Sequence, residues 1–188
     1  VRVAGGRFRG RALAEPADDR VRPTADKVRQ AIFNIVAHSA FGVALEGARV
    51  VDLFAGTGAL GIEALSRGAA YALFVDDSAL SRALIRANVE ALNLTGASKI
   101  WRRDATALGP LGAGAGGPFD LAFLDAPYRK GLTARALASL AAGLWLAPGA
   151  LIVAETAADE RVAADGFAVL DSRLYGETAV HMLGVSSG

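Results

Sequence analysis

From Arg49 onward, short apolar runs alternate with stretches of helical periodicity, and this alternation restricts the possible folds more than any other feature of the chain. The runs RVVDLFA (49–55) and YALFVD (71–76) read as strands, with a helix over about Ala59 to Ser66 between them. A second helix is expected over 79–94, where Leu80, Leu84, Ile85 and Leu92 fall near helical spacing, and it leads into a short strand, KIWR (99–102). FDLAFLD (119–125), a helix over about Thr133 to Leu144 and ALIVAE (150–155) continue the series, with Pro148-Gly149 as the turn before the last strand. Runs this apolar are buried on both faces, which suits a mostly parallel sheet covered by helices. The C-terminal segment differs. FAVLDSRLYG and ETAVHMLGV meet at Gly176-Glu177 and predict an antiparallel hairpin closing the sheet edge. GPLGAGAGGP (109–118) lacks the Lys-Ser/Thr of a phosphate-cradling loop and reads as a flexible surface loop.

With 53% hydrophobic and 21% charged residues in 188, the chain can build one sizeable core and is not a disordered polymer. It contains no cysteine, which excludes disulfides, thiolate zinc sites and iron–sulfur clusters and fits a reducing compartment. His38 and His181 are too few and too far apart for a metal motif, and no basic, apolar and small-residue succession in the opening residues suggests export. A cytoplasmic protein without metal or membrane anchor is therefore expected. The net charge of +1 hides an asymmetry: residues 1–29 hold eight basic groups against four acidic, net +4, while the remaining 159 carry 12 against 15, net −3. Such an arm suits a polyanion, although a solvated basic tail has the same composition. Arg7, Arg9 and Arg11 occur at every second residue, so an extended segment turns all three to one face. RPTADKVRQAIFNIVAHS (22–39) then predicts a helix capped near Thr24, with Asp26 in its first turn and Val28, Ile32, Ile35 and Val36 as its buried stripe. Lys27 and Arg29 flank its start.

DLFAGTGALG (52–61) sets Gly56, Gly58 and Gly61 in G-x-G-x-x-G order between a strand and a helix, where the backbone can turn tightly and approach a ligand. Glycine turns after strands are common, so the spacing alone decides little. Asp52, four residues before the first glycine, is badly placed beside a pyrophosphate and well placed beside a cationic amine. Asp76 ends the next strand, within reach of a ribose diol, to which a carboxylate accepts two hydrogen bonds. With Asp104 and Asp125, four carboxylates fall at or just beyond the ends of four successive strands, the edge where open α/β sheets bind ligands. Any one of them can be explained as a cap on the helix that follows; four together with a glycine loop make a site.

This combination resembles the class I S-adenosylmethionine-dependent methyltransferases, and DAPY (125–128) is similar to their Asp/Asn-Pro-Pro-Tyr/Phe motif for exocyclic amines of nucleobases. RVAGGRFRGRAL (2–13), VRPTADKVRQAIFNIV (21–36), DLFAGTGALGIEALSRGA (52–69) and FLDAPYRKGL (123–132) together resemble the RsmD family of small-subunit ribosomal RNA guanine-N2 methyltransferases, in the family's order and over nearly the whole chain. The resemblance implies a Rossmann-like α/β fold, a mostly parallel seven-stranded sheet with a C-terminal antiparallel hairpin. It also implies a small N-terminal hairpin and helix, dividing the chain into a basic RNA-binding extension (1–40) and a methyltransferase domain (41–188).

It further implies S-adenosylmethionine as cofactor. Asp52 and the backbone of Phe54, Ala55, Gly56, Thr57 and Gly58 are assigned to its methionine portion, Asp76 or the adjacent Asp77 to its ribose, and Asp104 with Ala105 to its adenine. Asp125, Ala126, Pro127 and Tyr128 would receive the target base. Arg7, Arg9, Arg11, Arg22, Lys27 and Arg29 are assigned to phosphates of small-subunit ribosomal RNA, naked or in an assembled particle, bound by a monomer. The sequence departs from the family's pattern twice: Asp76 stands where glutamate is usual, and Ala126 where proline is usual. Three alternatives stay open. A nicotinamide-dependent dehydrogenase shares the glycine loop but leaves Asp52, DAPY and the basic arm without a role. A methyltransferase for adenine N6 in RNA or DNA shares the amine motif. A non-catalytic RNA-binding module would not need DAPY.

Overall fold

In the computed structural model, which describes residues 1–17, 23–38, 41 and 43–186 without the side chains of Pro23 and Thr24, the apolar runs form one seven-stranded sheet. The elements in chain order are α1 (Pro23–His38), β1 (Arg49–Leu53), α2 (Ala59–Ser66), β2 (Tyr71–Val75), α3 (Ala79–Ala91) and β3 (Ser98–Trp101). They continue with β4 (Phe119–Leu124), α4 (Leu132–Ala142), β5 (Leu146–Ala157), β6 (Phe167–Tyr175) and β7 (Thr178–Val185). The strand order is β3-β2-β1-β4-β5-β7-β6, with β1 to β5 parallel and the β6–β7 hairpin antiparallel to its neighbours. This is the class I methyltransferase fold, and the chain reverses direction across the sheet between β1 and β4, the switch point at which α/β sheets bind ligands.

Alternation along the strands divides the core into two layers. Val50, Phe74, Leu121, Phe123 and Val153 cluster with the apolar stripe of α1 and with Ile62, Leu65, Ile85 and Val89 of α2 and α3. Their partners in alternation, Val51, Leu53, Val75, Ala122, Leu124 and Ala154, pack with Leu137 and Leu140 of α4 and with Trp145. The predicted α1 stripe is buried, joined by Phe33, whose ring lies 5.4 Å from that of Phe123. Gly61 lets α2 lie against β2, since a Cβ there would come within 2.4 Å of the Phe74 ring.

Four local expectations change. Leu80 is 64% exposed, because α3 buries Ile85, Asn88 and Val89 and ends at Ala91, three residues early. Pro148-Gly149 lies within β5, as a bulge: between the pairs Phe119–Leu146 and Leu121–Leu151, one residue of β4 faces four of β5. The glycine-rich loop is anchored, its carbonyls accepting from Lys99 Nζ (2.7 Å, Gly114), the Tyr71 hydroxyl (2.8 Å, Ala115) and Arg49 Nε (Gly116). The arginine segment is not extended. The arm pairs antiparallel at Arg2 and Ala12, but residues 5–10 between them turn, with Gly6 and Gly10 in the left-handed region. Every-second spacing therefore does not set a common face for Arg7, Arg9 and Arg11.

Polar groups of α2 and α3 fasten the arm. The buried Glu63 carboxylate accepts from Ala4 N–H (2.8 Å) and Gly5 N–H (3.0 Å), pairs with Arg67 Nε at 2.9 Å and has Arg29 Nε at 3.5 Å. Ser66 Oγ accepts from Phe8 N–H at 2.9 Å and donates to the Gly5 carbonyl at 2.7 Å. Gly6 sits so close that a Cβ there would be 2.1 Å from the Ser66 carbonyl oxygen. Removing Glu63 strands two backbone donors and a nearly buried guanidinium. Glu63→Ala should cost about 3–5 kcal/mol and lower Tm by on the order of 10 °C in thermal unfolding, with Glu63→Gln, which keeps one acceptor, losing less.

Candidate active site

Alternation along the strands also sorts the acids at the sheet's C-terminal edge. Asp52 in β1 and Glu155 in β5 follow Val50 and Val153 by two residues and so continue the layer shared with α1, α2 and α3, while Asp76 and Asp125 stand just past β2 and β4, two residues after Phe74 and Phe123 of that layer. A cleft of about 770 Å³ opens there. Asp52, Phe54 to Thr57, Asp76, Asp77, Asp125 to Tyr128 and Glu155 line it from the sheet, and Ala25, Arg29 and Ile32 line it from α1.

The four are not equivalent in depth. Asp52 lies inside β1, paired with Phe74 on one side and Phe123 on the other, and is 1% exposed. Its Oδ2 accepts from Gly61 N–H at 3.0 Å, which caps the first turn of α2. Burial pushes its carboxyl up to about 8; the Gly61 bond opposes this and the Asp76 charge adds to it. The raised value favours the neutral acid at pH 7. Above it, Phe54 takes φ 55°, a left-handed conformation strained for a residue with a Cβ, and Gly56 and Gly58 follow at 62° and 81°. Asp76 holds this turn: its Oδ2 accepts from Gly56 N–H at 2.9 Å and its Oδ1 from Ser78 N–H at 2.9 Å. Asp77 is exposed at the cleft wall.

Asp104 and Ala105 are absent from this lining. Asp104 is exposed and its Oδ1 accepts from the Thr106 hydroxyl (2.7 Å) and N–H (2.8 Å), which hold its carboxyl below the usual range. It caps a turn, the local role that any single strand-end acid can have.

In DAPY, Asp125 and Pro127 are exposed while Ala126 is 3% exposed. The Tyr128 hydroxyl donates to Glu155 Oε1 at 3.0 Å and meets Thr178 Oγ1 at 3.1 Å. Burial, against the Thr178 bond and together with the charges of Glu155 and Asp125, pushes the phenol up to about 12, so it stays protonated. Glu155 and Thr178 were not singled out from the sequence. The signal for Glu155 was present, since the apolar run ALIVAE closes with an acid as FDLAFLD does.

Among the basic residues, Arg7, Arg9, Arg11 and Lys27 are exposed, and Arg22 lies outside the described residues. Arg29 differs from the surface position expected of it. It is 6% exposed, donates from Nη2 to the Arg2 carbonyl at 2.7 Å and pairs with Asp26 at 3.1 Å, so it ties α1 to the arm. Among the described residues no cluster of His, Asp or Glu could hold a metal ion, and no helix is long and apolar enough to cross a membrane.

The model of a family described as Conserved hypothetical protein 95 matches residues 1–184. The chain belongs to that family. It is 39% identical over 157 residues to Ribosomal RNA small subunit methyltransferase D of Escherichia coli K12, covering 83% of this chain and 74% of that one. The protein of the same name from Haemophilus influenzae is 32% identical over 161 residues, covering 85% and 80%. The solved structure of Escherichia coli yhhF superposes with a TM-score of 0.81 at 27% identity, over 100% of this chain and 99% of that one. The RsmD-family resemblance carried by the N-terminal and DAPY blocks is thus borne out, and so is the fold it implied.

The buried acid of this family member has a measurable signature. Asp52 keeps a proton in the folded chain that an unfolded aspartate releases near 3.8, so its contribution to stability is full below that value and is lost as pH rises toward about 8. Asp52→Asn keeps an acceptor for Gly61 N–H and cannot ionise. Its Tm should exceed that of the parent at pH 8 by on the order of 5 °C, with the difference shrinking toward pH 5 in thermal scans.

Proposed function

We propose that this protein transfers a methyl group from S-adenosylmethionine to the exocyclic N2 amine of a guanine in small-subunit ribosomal RNA, in the cytoplasm. The observation that carries this reading is the single cleft shared by the strained glycine loop, the buried Asp52 and the DAPY segment. The identity to relatives named for methylating small-subunit ribosomal RNA supports the substrate. Residues 1–40 then serve as the RNA-recognition extension of a methyltransferase domain spanning 41–188.

The residues present fit such a cofactor. Asp52, neutral when no cation is near, would meet its ammonium group, and the Phe54 to Gly58 backbone would flank its methionine portion. Asp76 would meet the ribose hydroxyls with the lone pairs that Gly56 and Ser78 do not use, with Asp77 beside it. Asp104 and Ala105, outside the cleft lining, are the assigned residues with least support. When bound, S-adenosylmethionine supplies a methyl carbon on a sulfonium, ready for in-line displacement.

The protein's contribution is orientation and electrostatics. An exocyclic base amine is a weak nucleophile because its lone pair is delocalised into the ring. The Asp125 carboxylate and the Ala126 carbonyl accept hydrogen bonds from its two protons and turn the lone pair toward the methyl. The proton that N2 loses is already bonded to Asp125. Pro127 keeps Ala126 extended, so the missing first proline of the motif leaves the carbonyl in place. Tyr128, held by Glu155 and Thr178, offers its ring to a base unstacked from the RNA. Arg7, Arg9, Arg11, Lys27 and Arg22 contact phosphates, while Arg29 acts by fastening α1.

Asp125→Ala should lower methyl transfer by about 10²–10³-fold with cofactor affinity nearly unchanged by calorimetry; equal loss of both would refute its role. Cofactor binding should release close to one proton at pH 7, because the ammonium draws Asp52 below its unliganded value of about 8. Affinity then rises as pH climbs toward that value, until the ammonium itself begins to lose its proton, and calorimetry in buffers of different ionisation enthalpy reads the proton release directly. Reversing Arg7, Arg9 and Arg11 to glutamate should weaken RNA binding and flatten its salt dependence by about 0.7 per lost phosphate contact.

A further inference from the structure

We propose that Glu155 is the residue that tells guanine from other amine-bearing bases, by accepting a hydrogen bond from guanine N1–H. The inference rests on the N2-methyltransferase reading above and gives that site its base selectivity.

Three observations carry it. The register of β4 and β5 pairs Leu124 with Ala154, so Asp125, the first residue past β4, and Glu155 of β5 each directly follow a residue of that last parallel pair. Strand alternation sets Glu155 on the same side of β5 as Val153, toward the α1 layer, and both acids line the same cleft. Tyr128, the proposed stacking ring, donates its hydroxyl proton to Glu155 Oε1 at 3.0 Å, which fixes the carboxylate beside the ring. A carboxylate offers about four acceptor positions, and the phenol takes one of them.

The chemistry follows from what flanks the reacting amine. In guanine the amine at C2 has N1–H on one side and the acceptor N3 on the other. When Asp125 and Ala126 hold that amine, a second acceptor in the base plane is matched only if N1–H faces it. Adenine presents an unprotonated N1 beside its amine, and cytosine an unprotonated N3. Each turns a lone pair toward the Glu155 carboxylate, leaving both acceptors without a proton. A site built around a substrate N–H rejects the analogue lacking it by far more than an apolar pocket rejects a missing methylene. Two adjacent acids, one on the amine and one on N1–H, are complementary to the edge that guanine alone among the four bases presents.

The test uses the full chain and small-subunit ribosomal RNA lacking N2-methylguanine. The methylated position is first mapped by mass spectrometry, and the same RNA is then rebuilt with 2-aminopurine there. That base keeps the N2 amine but has an unprotonated N1. The parent enzyme should favour guanine by on the order of 10³-fold in kcat/KM, and Glu155→Gln, which can donate to N1, should bring the two within about tenfold. Tyr128→Phe keeps the ring and removes its bond to Glu155; it should slow both substrates while preserving the preference. The inference is overturned if the parent accepts both bases equally, if Glu155→Gln leaves the ratio unchanged, or if Tyr128→Phe abolishes it as Glu155→Gln does. No guanine methylation by the parent would instead refute the underlying N2-methyltransferase reading.

Discussion

The buried carboxylate of Glu63 is the point on which the rest of the molecule hangs. A charge 1% exposed is tolerable only when its acceptor sites are filled, and here two backbone N–H groups of the arm and two guanidinium groups surround it. Those partners come from three places: Ala4 and Gly5 from the arm, Arg29 from α1 and Arg67 from just beyond α2. One side chain therefore fixes the arm and α1 against the first helix after the glycine loop. Because α1 supplies one wall of the cleft, this junction also positions that wall.

The same economy explains why several cations of the N-terminal segment are unequal. Exposed Arg7, Arg9, Arg11 and Lys27 are available to a polyanion, whereas Arg29 is committed to carboxylates and a carbonyl. Charge counting cannot separate these roles, because the distinction depends on where α1 crosses the arm. The spacing of Arg7, Arg9 and Arg11 misled for a related reason. Alternation predicts a face only in extended backbone, and here Gly6 and Gly10 turn the chain so that it fits against Ser66.

Much of the fold was legible because burial writes itself into sequence with a period. β1, β2, β4, α2 and the C-terminal hairpin fall where apolar runs and turn residues put them. Departures occur where an element meets something other than the sheet. Leu80 leaves the core because it stands at the cleft wall, and Pro148-Gly149 stays within β5 because a bulge absorbs it. The site was legible as a row of strand-end acids, yet position in sequence does not record depth. Asp52 is flanked by Phe74 and Phe123 inside the sheet, Asp104 caps an exposed turn, and Glu155 joins the row through a strand whose bulge the sequence did not announce.

Asn88 shows why the arm and the cofactor loop should be treated as one assembly. It is 3% exposed on the buried face of α3, where an amide persists only if both ends are bonded. Its Oδ1 accepts from Ala14 N–H at 2.6 Å, and its Nδ2 donates to the Ala14 carbonyl at 3.1 Å and to the Thr57 carbonyl at 3.0 Å. Ala14 ends the arm and Thr57 sits between the two left-handed glycines of the loop. A side chain that holds both cannot shift for one without releasing the other. Glu63 at one end of the arm and Asn88 at the other thus make the proposed RNA-binding segment and the proposed cofactor loop a single hydrogen-bonded unit. Phe54 can persist at φ 55° there because the turn around it is fixed from both sides, by Asp76 through Gly56 and by Asn88 through Thr57.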